Sequence, residues 1–408
     1  MFLIRHRVTS VRTMTATVSH PPARFTSDDC RLPEFASLVA TTTDLADYPH
    51  ADAVEQNVLI YDCDAIRATA STDEGRWAVE AELVRAFADG PGIVVLKGAF
   101  ADTAVVDRVT EVFDAIISDE ETASTAHGDH FAKPGANSRV WNALEKVALR
   151  APDAFADYYA NDVLALVSHA WLGPGYQMTS QVNVVRPGGV AQDPHRDYHL
   201  GFLEDEVAAQ YPAHVHLLSP VLTLQGAVAH SDMPVESGPT LYLPHSQKYG
   251  PGYLAYRRPE FADFFEEHHV QLPLAKGDAA FFNPALFHGA GSNVSSDIQR
   301  VANLLQVSSA FGRAMEAVDR RRVSEALYPV LRERLNRGGA TLEAVARVVA
   351  CSAEGYPFPT NLDLDQPVSG LTPRSQAEIV LESLREDRTS DDLGAALAEH
   401  EQKRSTHA

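Results

Sequence analysis

The chain has 408 residues, 45% hydrophobic and 22% charged, a balance ordinary for a globular protein with a sizeable buried core. Its 34 basic against 55 acidic residues give a net charge of −21, which disfavours nucleic acid and anionic membrane as main partners. No apolar run is long enough to span a bilayer. Cys30, Cys63 and Cys351 have no paired spacing and read as reduced thiols of a cytoplasmic protein.

The first acid is Asp28, after Arg5, Arg7, Arg12 and Arg24 among many Ser and Thr. Such starts occur in organelle transit peptides, but the plainer reading is a tail, with Met14 as a second candidate start. Residues 1–45 lack sustained apolar periodicity and are expected to be disordered. Residues 76–88 predict an amphipathic helix with Val79, Leu83, Val84 and Phe87 on one side, ended by Gly90-Pro91-Gly92. Ile93 to Leu96 reads as a buried strand, and residues 103–117 as a helix through Val106, Val109, Val112 and Phe113.

From Tyr176 to Arg186 the chain is strand-like, with Gln181 and Asn183 sharing one face. Pro187-Gly188-Gly189 breaks that strand, and Pro194 opens the run His195-Arg196-Asp197-Tyr198-His199. Extended alternation turns His195, Asp197 and His199 the same way. Further on, Gly277-Asp278 makes a turn, Ala279 to Phe282 a strand, and Asn283-Pro284 an interruption before His288. The strand from Arg300 to Ser309 puts Arg300, Ala302, Leu304 and Gln306 on one face. A buried Arg among such neighbours is costly unless an anion meets it.

After Arg313 the pattern is helical. Residues 314–335 are periodic, with Pro329 as a break or kink, and Gly338-Gly339 stops them. Thr341 can cap a helix through Cys351, Thr372-Pro373 reads as an N-cap and first position, and Ser390 opens a last helix.

A His-x-Asp pair with one distant His is the set that holds non-haem Fe(II) on one face and leaves positions open for a co-substrate and dioxygen. His195, Asp197 and His288 supply it, and Arg300 suits the far carboxylate of 2-oxoglutarate through a charge-assisted fork. Three other His-x-Asp triplets occur, His50/Asp52, His127/Asp129 and His230/Asp232, so context must choose among them. His199 is a rival ligand, better read as a neighbour of the metal or a substrate contact. Thr240, Gln181 and Asn183 are candidate 2-oxoglutarate contacts, set against the plain alternative that they satisfy backbone groups.

At this point the sequence resembles the phytanoyl-CoA dioxygenase-like branch of Fe(II)/2-oxoglutarate oxygenases. The matching segments are Gly92 to Lys97, His195-Arg196-Asp197-Tyr198-His199-Leu200, Glu236 to Pro244, Gly277 to Phe282 and His288 to Asn293, within roughly Arg76 to Arg313. One departure is Pro244-His245-Ser246-Gln247-Lys248, where that family usually reads Pro-Gly-Ser-His-Lys. The resemblance implies an all-β core, a double-stranded β-helix or jelly roll, with N- and C-terminal flanking helices. It implies Fe(II), 2-oxoglutarate and dioxygen, with hydroxylation of a small organic substrate and release of succinate and CO₂. Related halogenases lack the carboxylate ligand, so Asp197 favours hydroxylation over halogenation.

By the same resemblance, the loop from Lys133 to Asn142 is a candidate substrate contact through Lys133, Arg139 and Trp141. His127, Asp129 and His130 beside it read as a solvated cluster. The expected division is a tail over 1–45, an oxygenase domain over 46–315 and a helical extension over 316–408, which packs on the barrel or on a second subunit of a homodimer. Two other readings stay open: a cupin-like metal enzyme without 2-oxoglutarate, and a ligand-binding barrel with no activity. Binding of 2-oxoglutarate and metal stoichiometry discriminate them.

Overall fold

The computed structural model describes residues 22–123, 137–367 and 370–406. Its strands are β1 (Ala53–Glu55), β2 (Val58–Asp62), β3 (Ile93–Lys97), β4 (Asn137–Val140), β5 (Gln177–Val185), β6 (Thr223–Ala229), β7 (Leu241–Leu243), β8 (Val270–Gln271), β9 (Ala279–Phe282), β10 (Phe287–Gly289) and β11 (Arg300–Ser308). Eight of them form one mixed sheet in the order β1-β2-β3-β9-β6-β11-β5-β4, and three form a second sheet, β10-β7-β8. Among the described strands only β2 and β3 run parallel, and the helices Cys63–Thr69 and Asp73–Ala88 make the crossover between them. Gln56 and Asn57, both at positive φ, close the tight hairpin from β1 to β2.

Alternation divides the large sheet into two faces. On β11, Val301, Leu305 and Val307 join Met178, Val182 and Val184 of β5 in a core capped by Phe113, Phe155, Tyr158, Leu327 and Val348 from helices. Across the sheet, Ile93, Val95, Ala280, Phe282 and Ala302 face Tyr242, Leu272 and Leu274 of the smaller sheet's side. The expectation of an all-β core is therefore corrected: helical residues outnumber strand residues. The physical reason is the apolar outer face of the large sheet, which must be covered. The helices Arg320–Asn336, Leu342–Ser352, Gln376–Arg385 and Ser390–Arg404 share that same core through Leu327, Val348, Val380 and Leu397.

The expected tail also needs correction in its described part. Leu32–Val39 is a helix, and its Phe35 is fully buried among Tyr249, Phe261, Phe264 and Phe287, with ring centroids 4.9–5.6 Å away. A single anchoring aromatic leaves no periodic signal, which is why the sequence pattern misses it. Pro329 does not end its helix, since Leu327, Tyr328 and Leu331 are buried on either side of it. Ser375, not Thr372, caps the helix Gln376–Arg385, in a capping box with Glu378. No helix among the described residues is long and apolar enough to cross a membrane.

Candidate metal centre

Between the two sheets lies a cavity of about 910 Å³. His195 and His288 meet there as an antiparallel bridge: His195 N donates to His288 O at 2.9 Å, and His288 N donates to His195 O at 3.2 Å. Asp197 N donates to Pro284 O at 3.1 Å, so backbone bonds zip the two ligand-bearing segments together. His195, Asp197 and His288 each offer one ligand atom, all within 4.8 Å of one another. The two imidazole centroids are 4.4 Å apart.

Both imidazoles are fixed the same way. His195 Nδ1 bonds Asp193 O at 2.9 Å, and His288 Nδ1 bonds Leu286 O at 2.8 Å. A carbonyl only accepts, so each Nδ1 carries the proton and each Nε2 keeps its lone pair for the centre. Burial and then the neighbouring His288 lower the His195 pKa, which favours the neutral, ligating form. At Asp197, burial raises the pKa, but His195, His288 and Gln225 outweigh it and hold the carboxyl well below its usual range. Arg196, between the ligands, turns the other way. Its buried Nη2 donates to Ser246 O and Tyr249 O at 2.7 and 3.0 Å, and the guanidinium lies over the rings of Tyr253 and Phe287.

Arg300 stands on β11, lines the same cavity and is 4% exposed. Its Nε and Nη1 are buried with no hydrogen-bond partner among the described residues. Burial pushes its guanidinium down to about 10, so it remains a cation at neutral pH. Thr240, Gln181 and Asn183 line the cavity as well, and so do Arg139 and Trp141. Arg139 Nη1 donates to Gln181 Oε1 at 2.7 Å, and the guanidinium lies 5.1 Å from the Trp141 ring centroid.

His199 does not join this group. Tyr198 and His199 take φ values of 63° and 42°, so the extended alternation ends at Asp197 and the His199 ring bonds Ser219 Oγ at 2.9 Å instead. Lys133, with His127, Asp129 and His130, lies outside the described residues. His230 is a buried structural side chain bonded to Thr110 and Tyr158, and His245 occupies a left-handed position with bonds to Gly90 O and Thr43. That φ of 70° fits the usual glycine at this point of the motif. Sequence reasoning misses Gln225, whose Nε2 donates to Asp197 Oδ2. The available signal is one amide in β6, whose other residues after Thr223 are apolar or glycine.

The sequence profile described as phytanoyl-CoA dioxygenase (PhyH) matches residues 79–302, more than half of the chain. This chain belongs to the phytanoyl-CoA dioxygenase family. A search of curated proteins finds no match. Among solved structures, the epimerase SnoN in complex with Fe3+, alpha ketoglutarate and nogalamycin RO is similar at 19% identity, covering 57% of this chain and 84% of that one, with a TM-score of 0.41. The non-heme alpha ketoglutarate dependent carbocyclase SnoK from nogalamycin biosynthesis aligns at 20% identity over 56% of this chain and 83% of its own, with a TM-score of 0.38. AviO1 from Streptomyces viridochromogenes Tue57 aligns at 17% identity over 58% of this chain and 97% of its own, with a TM-score of 0.42.

Membership of the phytanoyl-CoA dioxygenase family brings Fe(II) and 2-oxoglutarate, and the residues present fit both. Two imidazole nitrogens and one carboxylate converge on one side of an open cavity, the donor set of a facial triad. A buried guanidinium with orphaned donors on the same wall fits a carboxylate of the co-substrate.

Proposed function

We propose that this chain is an Fe(II)- and 2-oxoglutarate-dependent dioxygenase that hydroxylates a C–H bond of a small organic substrate, on a double-stranded β-helix formed by its two sheets. The observation that carries the reading is the convergence of His195, Asp197 and His288 in a cavity whose wall also holds Arg300, with its Nε and Nη1 unmet among the described residues. When bound, Fe(II) with 2-oxoglutarate and dioxygen supplies the oxidising power that breaks the C–H bond, with succinate and CO₂ as by-products.

The chain's own residues do the rest. His195 and His288 turn their Nε2 atoms to the centre, and Asp197 offers a carboxylate, so the metal is gripped from one side only. Arg300 holds the far carboxylate of 2-oxoglutarate and orients its keto-acid end toward the ligands. Thr240, Gln181 and Asn183 are assigned to the same co-substrate, and Arg139 with Trp141 to the substrate side. Because Asp197 fills the third ligand position, none is surrendered to a halide, and hydroxylation is favoured. The catalytic unit is assigned to residues 46–315 and the helical extension to 316–408. Free, buried cysteines suit a reducing, cytoplasmic setting.

The reading is tested by equilibrium dialysis of Fe(II) and 2-oxoglutarate with wild type and Arg300→Met. One metal per chain is expected in both proteins. The dissociation constant for 2-oxoglutarate should rise about 10–100-fold in the variant, the loss of a charged hydrogen-bond pair. Unchanged 2-oxoglutarate affinity would remove Arg300, and the co-substrate site with it, from the account.

A further inference from the structure

The amide of Gln225 is committed to the carboxylate of Asp197. Its side chain is 7% exposed and lines the cavity from β6, paired in register with Gln306 of β11 and Phe282 of β9. Nε2 donates to Asp197 Oδ2, while Oε1 is buried without a donor among the described residues. Buried amides elsewhere, Gln247 and Asn303, are likewise anchored by their donor ends with a bare oxygen, so the donor's partner fixes how such an amide points, and for Gln225 that partner is the carboxylate of a metal ligand. The carboxylate alone therefore sets which way this amide points. Flipping it would bring Oε1 against Asp197 Oδ2, two acceptors with no proton between them.

The two oxygens of Asp197 are thereby made unequal. Oδ2 is the one 3.4 Å from His288 Nε2 and bonded to Gln225, whereas Oδ1 lies 3.9 Å from His195 Nε2. Carboxylates bind metals through one oxygen or through both. A chelating Asp197 would occupy one of the positions that the co-substrate and dioxygen need. We infer that Gln225 is a positioning residue that keeps Asp197 a one-oxygen ligand, so that the face opposite the three ligands stays fully open. The inference rests on the metal site proposed above.

The test is water-proton relaxation of the Mn(II)-loaded protein, which reports the number of metal-bound waters and needs neither 2-oxoglutarate nor turnover. Gln225→Leu keeps the size of the side chain and removes the donor. About one bound water of about three is expected to be lost in the variant, because the freed oxygen chelates. The 2-oxoglutarate dissociation constant of the Mn(II)-loaded protein should rise about tenfold, while Mn(II) affinity falls by less than the roughly 10–100-fold usual for a lost ligand partner, because the freed oxygen now binds the metal. Gln225→Met, likewise apolar and of similar length but more flexible, also removes the donor and should lose the same water, which guards against a folding defect peculiar to the first variant. Equal water counts in wild type and Gln225→Leu would overturn the inference and leave the metal site standing. Absence of Mn(II) binding in the wild type would overturn both.

Discussion

At the residue scale, the site depends on what stands behind the ligands. Arg196 is buried with its guanidinium against Tyr253 and Phe287, and a Cβ added at Gly252 would lie 1.9 Å from Arg196 Cζ. Gly252→Ala therefore cannot be accommodated without driving Arg196 out of its slot, and Arg196 sits between two ligands. A loss of about 1–3 kcal/mol is expected, the usual cost of overpacking, with weaker Fe(II) binding alongside it. Chemical denaturation and metal titration of the variant measure both. An unaltered protein would mean the slot is looser than these distances imply. The contrast with His199 is instructive: two residues beyond Asp197, it shares the motif's spacing but not its geometry, because two positive φ angles turn it away. Spacing predicts facing only while the backbone remains extended.

At the scale of elements, each ligand is carried by a short strand or bridge buttressed from outside. Phe35, in the helix Leu32–Val39, packs with its ring centroid 4.9 Å from that of Phe287, the residue before His288 on β10. Phe35→Ala should cost about 3–5 kcal/mol, the range for emptying a core aromatic site. Because the cavity opens beside β10, Fe(II) affinity should fall as well, by a few-fold. A melting curve and a metal titration decide it, and a variant with wild-type stability would show that this helix is not a buttress. What the sequence made legible follows the same logic. The alternation of β11 announced Arg300 on the cavity face, and the two ligand motifs announced the centre, because both are local patterns. Gln225 carries no motif and acquires its role only when β6 aligns beside β11. The helix around Phe35 was illegible for the same reason, since its partners lie more than two hundred residues away in the chain. The helical layer was legible piecewise, but its extent over the large sheet was not.

For the whole molecule, buried histidines set the acid limit of stability. Burial pushes the imidazole of His230 down to about 3, and burial followed by Lys248 pushes that of His245 down to about 4. In the unfolded chain both titrate near 6.5. As pH falls below about 6.5, the unfolded state takes up protons that the folded state refuses, so stability falls with falling pH by about 1.4 kcal/mol per unit for each histidine. The melting temperature of the metal-free protein should therefore drop steadily from pH 6.5 to pH 4.5. His245→Gly, which also suits the left-handed backbone there, should make that slope shallower. A melting temperature flat across this window would mean these side chains reach water in the folded state.

The central claim is that one cavity holds Fe(II) on His195, Asp197 and His288 together with 2-oxoglutarate on Arg300. Anaerobic titration of the Fe(II)-loaded protein with 2-oxoglutarate tests it most directly, through the weak visible absorption that arises when the keto acid chelates ferrous iron. The account predicts a saturable band in the wild type, absent in His288→Ala and requiring far more 2-oxoglutarate in Arg300→Met. Bound iron with no band at any 2-oxoglutarate concentration would contradict it.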